Sequence, residues 1–211
     1  MSTTRIFIAR HGETEYNRLN QMQGRGINKP LNKNGRMQAK AIADFLGSES
    51  IDHIFSSSLM RSMETAEIIA WSYRKEYKYY PELDEMDFGY LEGHSAEEIQ
   101  SDLDEIHAKW SSGKVDFAPK DGESPVEVSN RILSRTSKII EEHGGSNILF
   151  ILHGRSIRIL LSEWLGYGLE NMHKVTHSNG ALYHLEHTAG QFEPVYLHET
   201  EHLDDLSIKD K

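Results

Sequence analysis

Two kinds of apolar pattern alternate along this chain: short continuous runs, and stretches where apolar residues recur every three or four positions. The first kind suits strands buried on both faces, the second helices with one inward stripe. Arg5 to Ala9 predicts strand one. Asn34 to Leu46 predicts a helix with Met37, Ala41 and Phe45 on its inner face, Ile42 and Leu46 beside them, and Gly47 as its stop. A second strand follows at Ile51 to Phe55, then a helix over Leu59 to Trp71 with Leu59, Met63, Ala66 and Ala70 inward. Tyr77 to Tyr80 reads as strand three, ending at Pro81. Ser95-Ala96-Glu97-Glu98 has the form of a capping box and predicts a helix start, as does Ser124-Pro125 with Glu127 three positions on. The helix from Pro125 should end at Gly144-Gly145. Ile148 to Leu152 predicts a strand, followed by a sharp turn and a helix to about Leu165. Strands at Ala181 to Leu185 and Phe192 to Leu197 precede an acidic tail, Glu199 to Asp205, expected to be solvated.

Alternating elements of this kind define an α/β protein. The expected architecture is a three-layer α/β/α sandwich with a mostly parallel central sheet. Met86 to Glu123 is more polar and less regular, and is read as a small cap or lid inserted over the strand ends of a single domain spanning residues 1–211.

Charge and composition narrow the function. With 23 Lys and Arg against 33 Asp and Glu, the formal net charge is −10, so nucleic acid is not an expected partner. The absence of cysteine excludes disulfides, thiolate metal sites and cysteine nucleophiles. No apolar run is long enough for a membrane span and no signal peptide precedes Arg5, so a soluble cytoplasmic protein is expected.

Against this acidic background, the ends of the apolar runs stand out. "FIARHGE" and "FILHGRS" both break an apolar run with His-Gly beside an arginine. If both strands are parallel and central, His11 and His153 meet at the C-terminal edge of the sheet, where ligands bind in open α/β folds. Arg10 adds a cation there, and free backbone N–H groups at each His-Gly turn would favour an anion. Arg61, in the first turn after strand two, points to the same edge, and its planar fork suits phosphoryl oxygens. Glu85 follows strand three. A carboxylate beside a phosphate makes sense as a general acid.

The ordered motifs "RHGETEYN", "QGRGINKPLNKNGRMQA", "SSLMRSMETA", "LDEMDFGYLEG", "DGESPVEV" and "LHGRSIR" resemble the histidine phosphatase superfamily, in the branch containing cofactor-dependent phosphoglycerate mutases and small phosphatases. The resemblance runs from about residue 5 to 185. It implies that His11 is the nucleophile that becomes phosphohistidine. Arg10, Arg61 and His153 would clamp the phosphate, and Glu85 would be the proton donor. Asn17, Gln23, Gly24 and Gly154 would contact the substrate, and neither metal nor cofactor is implied.

Several positions depart from the family pattern. Tyr16 stands where tryptophan is common, Asn28 and Asn32 replace Asp and Thr, and Met86-Asp87-Phe88-Gly89 replaces the Arg-His-Tyr-Gly of mutases. Lys109, Lys114 and Lys120 are the only cations between Met86 and Glu123. A mutase must hold a bisphosphate and exclude water. The expected activity is therefore a metal-independent, acid-type phosphomonoesterase acting on a small phosphorylated metabolite. A phosphoglycerate mutase is the alternative enzyme, and a non-catalytic phosphate-binding module the alternative of another class.

Other conspicuous residues are assigned structural roles. Arg155 and Arg158 read as solvated charges on a helix face. His177, His184, His187, His198 and His202 lack metal-ligand spacing. Tyr73, Tyr77, Tyr79 and Tyr80 read as strand packing.

Overall fold

The computed structural model describes residues 2–207. Its strands are β1 (Thr4–Arg10), β2 (His53–Ser57), β3 (Tyr77–Tyr80), β4 (Asn147–Leu152), β5 (Leu182–Thr188) and β6 (Gln191–Glu199). They form one sheet in the order β3-β2-β4-β1-β5-β6. The first four are mutually parallel; β5 runs antiparallel to β1, and β6 antiparallel to β5. The expected sandwich with a mostly parallel sheet is the observed one.

Strand periodicity divides the core. Ile6 and Ile8 of β1, with Ile148, Phe150 and Leu152 of β4, face α5 (Pro125–Glu142) and α6 (Gly154–Trp164). Phe7, Ala9, Leu149 and Ile151 face α2 (Lys33–Phe45) and α3 (Met60–Tyr73) on the opposite side. Because both faces are covered, β1 and β4 read as unbroken apolar runs rather than alternating ones.

The inner face of α2 differs from expectation. Gly35, Ala39, Ile42 and Ala43 are buried, whereas Phe45 is 40% exposed and meets the His202 ring at 5.1 Å. The N-terminus of α2 lies against the loop after β1, where small residues are required. A Cβ on Gly12 would sit 2.2 Å from the Gly35 carbonyl oxygen, and one on Gly35 2.1 Å from that of Glu13. Asn32 caps this helix by accepting from the Gly35 N–H at 2.8 Å, so Asn serves there as an N-cap. Strand β2 begins two residues later than predicted and includes Ser56 and Ser57, whose hydroxyls are satisfied inside the fold.

Residues 86–123 contain the helix α4 (Gln100–Ser111) among turns and loops. The capping box is formed, with Ser95 N–H and Oγ on Glu98, but it closes a turn, and α4 starts at Gln100. The buried side chains Met86, Phe88, Leu91, Ile106 and Trp110 of this segment belong to the same apolar core as α5 and α6. Ser124 and Glu127 cap α5 as predicted.

At the C-terminal end, Glu199 closes β6 and residues 201–203 form a 3-10 turn that buries no residue, with Glu201 exposed. His202 Nε2 donates to the Gly180 carbonyl at 2.9 Å. Of the tyrosine stripe, Tyr73 donates to the Leu46 carbonyl and Tyr80 packs on Phe55, but Tyr79 is 56% exposed because β3 is an edge strand.

Candidate active site

The four parallel strands end at one edge, and each delivers a polar residue there. β1 delivers Arg10 and His11, β4 His153, β2 Ser57 with Arg61 in the following turn, and β3 leads into Glu85. His11 is 3% exposed, and its N–H donates to the Leu152 carbonyl at 3.0 Å, which fixes it beside the end of β4. The imidazoles of His11 and His153 lie 5.0 Å apart between centroids.

Hydrogen bonding assigns the tautomers. His11 Nδ1 lies 2.7 Å from the Gly12 carbonyl oxygen, which only accepts. Nδ1 therefore carries the proton, and Nε2 keeps a bare lone pair. For His153 the assignment is reversed. Arg61 Nε, a permanent donor, lies 3.2 Å from His153 Nδ1, so Nε2 carries the proton and donates to Ser57 Oγ at 2.7 Å. Burial, followed by the positive charges of Arg61 and Arg10, holds the His11 pKa well below 6.5. Burial, Arg61, His11 and Arg10 do the same for His153. Both rings are neutral at pH 7.

Arg61 is 1% exposed and organises its surroundings. Besides His153, its Nη1 donates to the Ile27 carbonyl at 2.9 Å and its Nη2 to the Gly24 carbonyl at 3.1 Å. Burial lowers its pKa to about 10, which leaves it charged at pH 7. Arg10 has a buried Nε with no hydrogen-bond partner. An orphaned guanidinium donor beside two neutral imidazoles is a site for an anion.

Glu85 is 5% exposed. Its Oε1 accepts from the N–H groups of Met86 at 2.9 Å and Ser156 at 3.0 Å, and its Oε2 from that of Arg155 at 2.9 Å. This corrects the expectation that the N–H groups of the His153-Gly154 turn are free for a substrate. The Glu85 carboxyl group already occupies the N-terminus of α6. Arg131 holds the segment before Glu85. It donates to the carbonyls of Glu82, Asp84 and Glu85 at 2.9, 2.7 and 3.0 Å, and pairs with both oxygens of Glu123.

The remaining predicted positions border the pocket. Asn17 forms a reciprocal box with Thr14, and Gln23 accepts from Thr14 Oγ1 at 2.7 Å. A Cβ on Gly154 would stand 2.8 Å from His177 Cδ2 and 3.5 Å from Arg10 Cζ, so the glycine admits both side chains.

Three contributors escape the sequence reading. Ser57 holds His153. Asn179 donates to the His11 carbonyl at 3.2 Å and to Asn17 Oδ1 at 3.1 Å, and His177 lies against Gly154. Asn179 and His177 reach the site because β5 runs antiparallel to β1 and so begins where β1 ends. The polar run His177-Ser178-Asn179-Gly180 before an apolar strand is the signal that would have indicated them.

Arg155 and Arg158 are not solvated. Arg155 is 8% exposed, donates to His107 Nε2 at 3.0 Å and lies 5.0 Å over the Trp110 ring. Arg158 is half-buried and donates to the Val175 carbonyl at 2.8 Å. Among the described residues, no group of three or more His, Asp or Glu side chains is placed to hold a metal ion. No described helix is long and apolar enough to cross a membrane.

The fold is α/β, and the C-terminal edge of its parallel strands gathers two buried neutral imidazoles, two guanidiniums and one carboxyl group. The chain belongs to the histidine phosphatase superfamily (branch 1), whose model matches residues 6–200. It is 32% identical over 161 residues to the probable phosphoglycerate mutase GpmB of Citrobacter koseri, covering 76% of this chain and 74% of that protein. The Proteus mirabilis protein of the same name is 34% identical over 161 residues, with the same coverage. Among solved structures, the phosphoserine phosphatase of Entamoeba histolytica in complex with 3-phosphoglyceric acid is similar with a TM-score of 0.84 and 28% identity. That match covers 95% of this chain and 99% of that one. Bacillus stearothermophilus YhfR is similar with a TM-score of 0.85 and 25% identity, covering 95% of this chain and 100% of that one.

Proposed function

We propose that the protein is a phosphomonoesterase that hydrolyses a small phosphorylated metabolite through a phosphohistidine on His11. The observation that carries this reading is the bare Nε2 of a neutral, buried His11 beside Arg10 and Arg61, neither of which forms an ion pair with a carboxylate among the described residues. Nε2 attacks phosphorus in line, and the ester oxygen leaves with a proton from Glu85. Three of the four lone-pair positions on Glu85 are taken by N–H groups, two on Oε1 and one on Oε2, which leaves Oε2 to carry that proton. Arg10, Arg61 and His153 stabilise the equatorial oxygens of the transition state. Glu85, now a carboxylate, takes a proton from water as the water cleaves the N–P bond. Inorganic phosphate departs and His11 is restored. Residues 86–123 act as the lid of this one-domain enzyme, with Asn17, Gln23, Gly24 and Gly154 contacting the substrate. A cytoplasmic setting belongs to the same reading.

Acid-quenched, base-stable trapping with labelled substrate tests it. Label is expected on His11, and His11→Ala should lose at least ~10³-fold in kcat. Label on His153 would overturn the assignment.

The names of the curated relatives favour a second reading, phosphoglycerate mutase. A mutase keeps its phosphohistidine dry while the acceptor turns. Here the lid cation Lys109 is paired with Glu105 and lies over Phe117, and is committed to the lid itself. With 3-phosphoglycerate primed by its 2,3-bisphosphate, phosphate release is expected to outrun formation of 2-phosphoglycerate. A mutase rate exceeding hydrolysis by ~100-fold, nearly 3 kcal/mol in barrier, would reverse the choice.

A further inference from the structure

The peptide that joins His11 to Gly12 is held at both ends. Its carbonyl accepts from Asn179 Nδ2 at 3.2 Å and from the Gly180 N–H at 3.3 Å, and its N–H donates to Thr65 Oγ1 at 3.2 Å. The orientation of this peptide matters because the next carbonyl, that of Gly12, receives the Nδ1–H of His11. A rotation here turns that acceptor away and releases the ring whose Nε2 must face phosphorus.

Asn179 and Gly180 belong to a turn closed by the Ala181 N–H on the Ser178 carbonyl at 3.1 Å, with Gly180 at φ +76°. The turn prolongs the β1–β5 ladder past its last register pair, Ala9 with Leu182. Arg10 N–H donates to the Ala181 carbonyl at 3.0 Å, and the Gly180 N–H also reaches the Arg10 carbonyl at 3.2 Å. The Gly180 carbonyl takes no part in that ladder. It accepts from His202 Nε2 at 2.9 Å.

His202 lies beyond β6, in the 3-10 turn Glu201–Leu203. The chain arrives there past His198, which has a left-handed φ of +60° and whose Nε2 meets Ser178 Oγ at 3.0 Å. The His202 ring stands against Phe45 of α2 at 5.1 Å. A carbonyl only accepts, so Nε2 carries the proton and Nδ1 is bare, and Nδ1 is buried with no partner. Packing on Phe45 alone would suit a phenyl ring better, since an unpaired buried nitrogen is destabilising. The bond to Gly180 is what the imidazole adds.

We propose that His202 is a positioning residue for the nucleophile: by fixing the Gly180 carbonyl it holds the 178–181 turn against the end of β1, and the turn holds the His11–Gly12 peptide that orients the His11 ring. This rests on the phosphohistidine reading above and extends its machinery to a residue beyond the last strand. His202 acts through the backbone and gives nothing to the substrate.

The test replaces His202 by Phe, which keeps a ring on Phe45 and removes the donor, and by Gln, whose amide restores one. In His202→Phe, the single-turnover rate of phosphohistidine formation from saturating p-nitrophenyl phosphate should fall by ~10-fold or more, the scale of a misplaced reacting group. His202→Gln should recover it to within about threefold of the parent. The His11 Nδ1–H proton, followed by NMR, should move upfield in His202→Phe as its bond to Gly12 loosens, and return in His202→Gln. Equal losses of rate in the two variants would mean that His202 only packs, and an unmoved His11 proton in His202→Phe overturns the proposal. If the parent hydrolyses no ester, the phosphatase reading fails instead, and the NMR comparison alone judges His202. Should His202→Phe not fold, His202→Ala removes the donor without adding bulk and carries the same expectations.

Discussion

Arg61 donates through Nε to Nδ1 of His153 at 3.2 Å, so one guanidinium fixes the tautomer of a ring carried by a different strand. The other two nitrogens of that guanidinium close the loop at Gly24 and Ile27. Lysine keeps the charge but has no fork. Arg61→Lys is expected to lower kcat by ~10²-fold or more, the scale of losing a preorganised donor to a developing oxyanion. Steady-state kinetics checks this, and a variant within about threefold of the parent would refute the fork argument.

Glu85→Gln keeps the shape at the α6 N-terminus but removes the transferable proton. A kcat loss of ~10²–10⁴-fold is expected for alkyl phosphates. Aryl phosphates, whose leaving groups need little protonation, should lose far less. Equal losses on both would show that Glu85 does not serve the leaving group.

Arg131 touches no substrate, yet it binds the carbonyls of Glu82, Asp84 and Glu85 and both oxygens of Glu123. Both members of the ion pair are mostly buried, with side chains 14% and 18% exposed. Arg131→Met should destabilise the fold by ~3–5 kcal/mol, the cost of stranding a buried partner. As a positioning residue for Glu85, it should also reproduce the leaving-group pattern of Glu85→Gln in weaker form. Urea melts and paired alkyl and aryl kinetics check the two effects, and a uniform loss on both esters would leave only the structural one.

The neutral histidines make stability depend on pH. His11 and His153 have native pKa values well below the unfolded 6.5. Above pH 6.5 neither state binds the proton and the effect vanishes. Below it, the unfolded chain takes up protons that the native state does not. Stability should then fall with pH by up to ~1.4 kcal/mol per unit for each ring, until the native pKa is reached. Urea midpoints between pH 7.5 and 5.5 measure this. A flat profile, or imidazole NMR signals titrating near 6.5, would contradict it.

Local signals in the chain determined most of the elements and much of the candidate site. The unbroken runs of β1 and β4 announce strands covered on both faces, and the Ser124-Pro125-Glu127 cap is a contact among near neighbours that forms wherever the helix forms. His11, Arg61, Glu85 and His153 were legible because each follows a strand-like run, and parallel strands share one edge. Properties set by residues distant in sequence were decided only by the tertiary structure. The inner face of α2 follows from Gly12 meeting Gly35, not from the apolar spacing of Met37, Ala41 and Phe45. Asn179 joins the pocket because β5 turns antiparallel. Glu85 fills the α6 N-terminus because Arg131, 46 residues away, holds its segment there. Arg155 looks like a helix-face charge until Trp110 and His107 of α4 cover it. Burial is a property of what packs on a residue, and no window of neighbouring residues contains it.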